Sequence, residues 1–555
     1  MRILHLISGG DGGAASGRVL SLLAGLKTTE DVRLACLSDG SLAGEARARG
    51  IPVLVLQGSR SAAVKQLTKT VQTEGVELLH CHDLNASRVG CLVGKRAAVP
   101  TVSTVYSQPE FDCGGGLLAA LKPEARELRA LRRVDFRICA AQAVADALHE
   151  HDFDPNRSFV LADDDPAKQK EIYDTVLRRT ARAAARGRDG VLICGAFGKG
   201  NSGDNAILQA MVQTIRDLDP DMPIYATTRS AGKTAREAEV GAVHTFCLWR
   251  IRGRMKKSAL YLSGGGSLIQ DVTSNRSLWY YLYSIRMAKR CGNHVMMFGC
   301  GIGPVRRKAN RRLAAHVIQK YVDRITLRDN ASARELERMG IHGVPTRVTA
   351  DMAFLVRPAS EERVEQFCAD CCVRGRIDLS ERILILAPRP WEGTERHLAD
   401  FAAAARHAAR TYGLRPVLLA IEPKKDRGVC ERIAALAQEQ GGIQCPVLEA
   451  PKDASAVVGL LRRVDAVLGM RLHALIFAAA QGTPFAGVSY DPKVAGFVEY
   501  IGQGHCCSLE QVSAERLCAM VDGLMQASRE EFRASARRLR ALASENCEEA
   551  LELIQ

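Results

Sequence analysis

Residues 190–208 read GVLICGAFGKGNSGDNAIL: an apolar run, a glycine-rich turn, and a segment able to wind as a helix. A short apolar run that empties through glycines into a helix is the repeating unit of an open α/β sheet. The same unit opens the chain, where RILHLIS at 2–8 leads into GGDGGAASGRVLSLLAGL at 9–26. Outward from these two anchors, VRLACLS, PVLVL, VELLHCH, PTVSTV and FRICAA continue a first run of strands, which closes near SFVLADDD. PIYATT, ALYLSGGGS, HVMMFGCGIGP, RITLRD and TRVTADMAF continue a second. RILILAPRPW, RPVLLAIEP, CPVLEA, AVLGMRLHALIFAAA and PFAGVSYDPK form a third, before the chain turns mainly helical. Strands alternating with helical stretches such as SAAVKQLTKTVQTEG predict parallel sheets.

At 555 residues the chain has room for about three or four domains. Its 47% hydrophobic and 25% charged residues exclude a disordered, collagenous or coiled-coil protein. The expected division is a lobe at 1–165, a linker helix at 166–188, a second lobe at 189–358 and a third at 359–555. The 166–188 segment is basic with few large apolar groups, and therefore reads as a solvated helix.

Lysine and arginine number 76 against 62 aspartates and glutamates, a net charge of +14 that calls for anionic partners. Aromatic residues make up only 5%, with no aromatic string or Cys/His finger, so nucleic acid is not expected. RIRGRMKK at 250–257 and RRKANRR at 306–312 suit an anionic membrane surface, or are two solvated helix faces. The 18 cysteines are irregularly spaced and read as reduced thiols. ILHLI is too short for a signal-peptide core, and no stretch is apolar enough to span a bilayer, so a cytoplasmic, at most peripheral, protein is expected. Cys368, Cys371 and Cys372 form a lone CxxCC without a second ligand pair, and read as ordinary thiols.

Three strands of the second run end in glycine turns, GAFGKGNSGDN, SGGGS and GCGIGP. Each can present backbone N–H groups to an anion at a helix N-terminus, or serve only a tight turn. Gly198, Gly200 and Gly203 spell the dinucleotide fingerprint, yet PIYATTRS has no acid closing its strand, and Lys199–Gly200 departs from a phosphate-loop lysine.

GKGNSGDNAIL, SGGGSLIQDVTSNRSLWYYL, GCGIGP, TLRDNAS, TADMAF, PRPW and GMRLHALIFAAAQGTPFAGVSYDPKVAGF, in that order, resemble the polysaccharide pyruvyltransferases of the CsaB type over residues 190 to about 505. Two positions depart from the pattern: Asn205 stands where an acid is usual, and Cys300 where a glutamine is. The resemblance implies a GT-B-like pair of Rossmann-like lobes, here preceded by a third. It also implies transfer of pyruvate from phosphoenolpyruvate onto an amino-sugar-containing polysaccharide or lipid-linked acceptor, as a 4,6-ketal. Phosphoenolpyruvate would be a co-substrate, with no further cofactor and no metal.

Such a donor needs fixed cations for its carboxylate and phosphate, for which arginine is the better fork. Arg328, Arg389 and Arg471 lie at or just past strand ends, where open α/β sheets hold ligands. His473 can move protons near neutral pH. The resemblance makes His473 and Arg328 the donor-handling pair. It adds Leu472, Asn201 and Asp204, with Gly264, Gly265 and Gly266 as backbone donors, and Ser274 and Arg276 facing the same cleft. Asp271 reads as a general base or an N-terminal cap, and Asp491 and Lys493 as groups that orient hydroxyls or phosphate, or as part of a turn.

The first 165 residues resemble the N-terminal lobe of GT-B family-4 glycosyltransferases through GGDGGAASGRVLSLLAGL, LLHCHD and VLADDD. The Glu-x7-Glu lobe which that family requires does not follow, which implies a docking or acceptor-holding role for this segment. His80, His82 and Asp83 invite a metal reading, but strand alternation gives the two histidines one acidic neighbour at most, and no metal is assigned. The competing functions are a nucleotide-sugar glycosyltransferase and a non-catalytic cell-wall assembly protein.

Overall fold

Each apolar run becomes a strand. RILHLI forms Arg2–Ile7, buried from Ile3 onward because it lies at the middle of a sheet covered on both faces. The computed structural model describes residues 1–9, 14–108, 128–198, 202–272, 274–451 and 453–554. By contacts the chain divides into two units: Met1–Asp189 with the short stretches Pro223–Tyr225 and Ser230–Val243, and the remainder through Gln555.

The first unit carries a seven-stranded sheet, in spatial order Val53–Val55, Asp31–Cys36, Arg2–Ile7, Leu78–Cys81, Thr101–Val105, Phe136–Cys139 and Ser158–Val160. Every pairing is parallel. The order reverses direction beside the first strand, the doubly wound pattern.

The helix Pro166–Arg186 corrects the expectation of a solvated linker. Gln169, Tyr173 and Val176 are buried at i, i+4 and i+7, and the last two join the core of Ile3, Val19, Leu23 and Leu34. Few apolar residues suffice when they share one stripe. Asp165 caps the helix by accepting from Ala167 N at 2.9 Å, and Gly187 ends it at φ 63°. Tyr173 also reaches the sheet, where its hydroxyl lies 2.6 Å from His80 Nδ1.

His80 is paired in register with His5 on the adjacent strand. His80 Nε2 lies 2.7 Å from Thr104 Oγ1, and His5 Nδ1 lies 2.9 Å from His82 Nε2. Burial pushes all three imidazoles toward the neutral form, His82 to about 4. Asp83 does not join them. Its carboxylate accepts from Ser8 N, Ser8 Oγ and Ala86 N, capping the helix Leu84–Ala97.

Two more seven-stranded sheets follow along the chain. One runs Gly241–His244, Ile224–Thr228, Val191–Cys194, Leu260–Gly264, His294–Cys300, Arg324–Leu327 and Thr346–Val348. The other runs Cys372–Arg374, Val447–Glu449, Arg415–Ala420, Ile383–Ala387, Ala466–Gly469, Phe485–Ser489 and His505–Ser508, with only the first strand antiparallel. The fold class is therefore three Rossmann-like α/β lobes, as expected from the sequence. The 359–555 segment does not keep to its own lobe. In the last helix, Arg529–Glu552, Asn546 accepts from Thr349 Oγ1 at 2.8 Å and donates to Ala350 O at 3.0 Å, and Glu549 pairs with Arg324 at 2.6 Å. The chain ends by packing on the lobe it left.

Among the described residues every cysteine is a free thiol. No described helix is long and apolar enough to cross a membrane.

Candidate active site

The carboxyl ends of the second and third sheets bring their loops together within the second unit. On the second sheet, Leu260–Gly264 leads into Gly265 and Gly266, whose φ values of 86° and 124° admit only glycine without strain. A Cβ on Gly266 would stand 3.4 Å from Asp204 Oδ1, so the turn passes close to the helix Ser202–Leu218.

Arg328 follows the strand Arg324–Leu327 and is nearly buried. It donates through one terminal nitrogen to Asp351 Oδ2 at 2.8 Å and through the other to Ser267 Oγ at 3.1 Å, and Asp329 lies 3.6 Å from Nε. Burial opposes its charge, but Asp351 and Asp329 outweigh that and raise its pKa. Asp351 is itself fixed, since its Oδ1 caps the short helix Met352–Leu355 at Ala353 N, 3.0 Å away.

On the third sheet, Ala466–Gly469 runs into Arg471, which precedes the helix Leu472–Gln481. Arg471 is nearly buried, with one arm donating to Glu422 Oε1 at 2.6 Å and the other to Asp426. Burial pushes the Asp426 carboxyl above the usual range, against the pull of Arg471. This guanidinium ties together two carboxylates through its terminal nitrogens, while its buried Nε has no hydrogen-bond partner among the described residues.

His473 lies in the first turn of that helix. Its Nε2 is buried and has no hydrogen-bond partner among the described residues. Burial drives its pKa down to about 4, with Asp351 and Glu422 opposing and Arg328 and Arg471 assisting, so the ring is neutral at physiological pH. A Cβ on Gly203 would fall 2.4 Å from the ring, so only glycine lets the helix Ser202–Leu218 lie against the imidazole. This contact joins the second and third lobes beside His473.

Lys493 is half-buried. Burial lowers its pKa, Asp491, Asp204 and Asp329 work against that, and Arg328 adds to it. Asp491 accepts from Lys493 N at 2.9 Å, capping the helix Pro492–Ile501, so the turn reading holds for its Oδ1. A small pocket has Arg328, Asp351, Leu472, Ile476 and Lys493 in its wall. Arg389 has no acidic partner among the described residues. It donates to Tyr490 Oη at 2.5 Å, and its guanidinium carbon lies 5.3 Å from the ring centre of Trp391.

Two expected site residues have scaffold partners. Asp271 accepts from Arg306 N at 2.7 Å, Arg307 N at 3.0 Å and Asn310 Nδ2 at 2.9 Å, so it is a loop clamp, neither free base nor helix cap. The cap is Ser274, accepting from Ser277 N at the start of Asn275–Arg290. Arg276 is exposed on that helix. Asn201 lies outside the described residues. Both sequence departures are accommodated: Asn205 Oδ1 accepts from Gly198 N at 3.3 Å, and Cys300 is buried with Sγ 3.7 Å from Thr326 O. Sequence reasoning missed Ser267, Asp351, Glu422, Asp426 and Tyr490. Glu422 had a usable signal, an acid just beyond the apolar strand Arg415–Ala420.

Among relatives, the amylovoran biosynthesis protein AmsJ of Erwinia amylovora is 21% identical over 387 residues, 60% of this chain and 92% of that protein. Among solved structures, the UDP-GlcNAc 2-epimerase of Methanocaldococcus jannaschii is similar at 11% identity and a TM-score of 0.45, covering 64% of this chain and 98% of that one. MurG of Acinetobacter baumannii is similar at 10% identity and a TM-score of 0.40, covering 65% and 99%. Residues 13–164 match the glycosyl transferase 4-like domain. Residues 201–492 match the polysaccharide pyruvyl transferase model, over half of the chain. That span holds Gly203, Arg328, Asp351, Arg471 and His473, and with them this chain belongs to the polysaccharide pyruvyl transferase family.

Proposed function

We propose that the cleft transfers pyruvate from phosphoenolpyruvate to a cell-wall polysaccharide or a lipid-linked amino-sugar precursor, forming a 4,6-ketal in the CsaB manner. The observation that carries this reading is a neutral imidazole, set among Arg328, Asp351 and Arg471, whose buried Nε2 has no hydrogen-bond partner among the described residues. A donor with a carboxylate and a phosphate finds fixed cations in Arg328 and Lys493, while Leu472 and Ile476 supply an apolar wall.

The chemistry balances without a redox step. The donor's methylene carbon gains a proton and becomes a methyl group. The two acceptor hydroxyl oxygens form bonds to the former enol carbon, and its bond to the phosphate oxygen breaks. Of the two hydroxyl protons, one is matched by the new methyl hydrogen and the other leaves with phosphate. His473, neutral when free, is suited to take a hydroxyl proton, and as imidazolium it can hand one on. Arg328 and Lys493 stabilise charge on the departing phosphate. No other cofactor is required. A lipid-linked acceptor would place the enzyme in the cytoplasm, at the inner face of the membrane, with the first lobe holding or docking that acceptor.

Incubation with phosphoenolpyruvate and an N-acetylhexosamine-terminated acceptor tests the reading by proton NMR and phosphate release. A ketal methyl signal with one phosphate freed per product is expected. Vinyl protons on the product overturn the ketal, and turnover of a nucleotide sugar in place of phosphoenolpyruvate overturns the donor.

A further inference from the structure

Between His244 and Val322 the chain carries fifteen lysines and arginines and one acid, the buried loop clamp Asp271. This excess equals the +14 of the whole protein, so the rest of the chain is balanced. Beside the second sheet the helix Asn275–Arg290 adjoins both Leu248–Met255 and Lys308–Tyr321. Trp279 Nε1 bonds Asn310 Oδ1 at 3.1 Å across two of them.

The cations are interleaved with apolar groups that the core does not need. The central helix buries Leu278, Tyr281, Leu282 and Ile285 inward. Its opposite stripe is Arg276, Trp279, Tyr283, Arg286 and Arg290, spaced by three and four residues, and every one is exposed. Trp279 is 50% and Tyr283 51% exposed, while on the neighbouring segment Phe246 is 61% and Trp249 71% exposed. Of the eleven exposed large apolar side chains among the described residues, seven lie in this span.

We infer that this face docks on an anionic lipid membrane. Headgroup phosphates attract the cations, and tryptophan and tyrosine settle at the boundary between headgroups and hydrocarbon while leucine and phenylalanine enter it. A second copy of the chain would bring like charge against like charge and is disfavoured. Nucleic acid would satisfy the cations but leave Leu248, Phe246 and Leu313 without an apolar partner. The inference does not depend on the ketal chemistry, although a lipid-linked acceptor would be delivered to the same surface.

Flotation of the full-length protein with vesicles of phosphatidylcholine alone, or mixed with phosphatidylglycerol, tests it. Binding to the anionic vesicles alone is expected, weakening as ionic strength rises. Brominated lipid should quench Trp249 and Trp279, read by replacing each tryptophan in turn, and spare Trp391 on the other lobe. Trp249→Ser with Trp279→Ser, and separately Arg286→Gln with Arg290→Gln, should each reduce vesicle binding about tenfold or more without shifting the thermal melt. Failure to float with anionic vesicles at low salt overturns the inference. So does vesicle binding that ignores the tryptophan pair, and so does DNA binding as tight as vesicle binding, since either reduces the face to bare charge. Turnover on a soluble acceptor is a separate readout, and its loss would count against the function instead.

Discussion

The ends of the second and third sheets each present a nearly buried arginine, Arg328 and Arg471, in what the sequence reads as one role. The structure separates them. Arg471 is clasped by Glu422 and Asp426, which more than neutralise it. Arg328 also faces two carboxylates, Asp351 bonded at 2.8 Å and Asp329 more loosely at 3.6 Å, but its other arm rests on a serine hydroxyl and it borders the pocket with Lys493. A strand-end arginine is therefore informative only together with the charges that already occupy it. In the proposed reaction Arg328 at the second-sheet end meets the donor, whereas Arg471 at the third-sheet end ties Glu422 and Asp426 to the start of the helix that carries His473.

That contrast can be broken most forcefully at Arg471. Arg471→Ala leaves two carboxylates without their buried partner and should destabilise the unit by about 3–5 kcal/mol in denaturant unfolding. A stable variant with a raised donor KM would invert the comparison. Arg328→Lys keeps a charge beside Asp351 but loses the fork. It should weaken donor binding by about 1.5–3 kcal/mol, seen as a higher KM for phosphoenolpyruvate with the melting temperature nearly unchanged. Asp271→Asn sharpens the boundary between site and scaffold. A loss of about 1 kcal/mol of stability with normal turnover per folded molecule is expected, and a large drop in kcat would return Asp271 to the chemistry.

The central strands were legible because each is an apolar run between glycine or polar turns, as in VLIC and ILILA. Gly241–His244, Cys372–Arg374 and His505–Ser508 were not, since these short edge strands mix polar with apolar residues and are partly exposed. Tyr173 and Val176 were passed over because basic residues dominate their helix, yet spacing, not number, decided its burial. The return of Asn546 to Thr349 is a contact across some two hundred residues, invisible to local pattern. In the site, the glycines, Arg328 and His473 could be read from motif strings. Of their partners, Glu422 stood just past an apolar strand, but the pairings of Asp351 and Asp426 could not be read, because ion pairing is set by tertiary approach. Gly203 was read as a turn residue, and its role against the imidazole appears only in three dimensions.

The central claim is that the imidazole of His473 moves the proton. The pH dependence of kcat/KM for phosphoenolpyruvate, followed by phosphate release in the wild type and in His473→Gln, tests it most directly. Burial lowers the folded pKa to about 4, so the basic form persists as pH falls until the imidazole protonates near that value. The wild type should lose activity on that acid limb. The variant should lack it and show kcat reduced by about 10²- to 10⁴-fold while remaining folded by circular dichroism. A folded variant with near-normal kcat and the same acid limb would contradict the account.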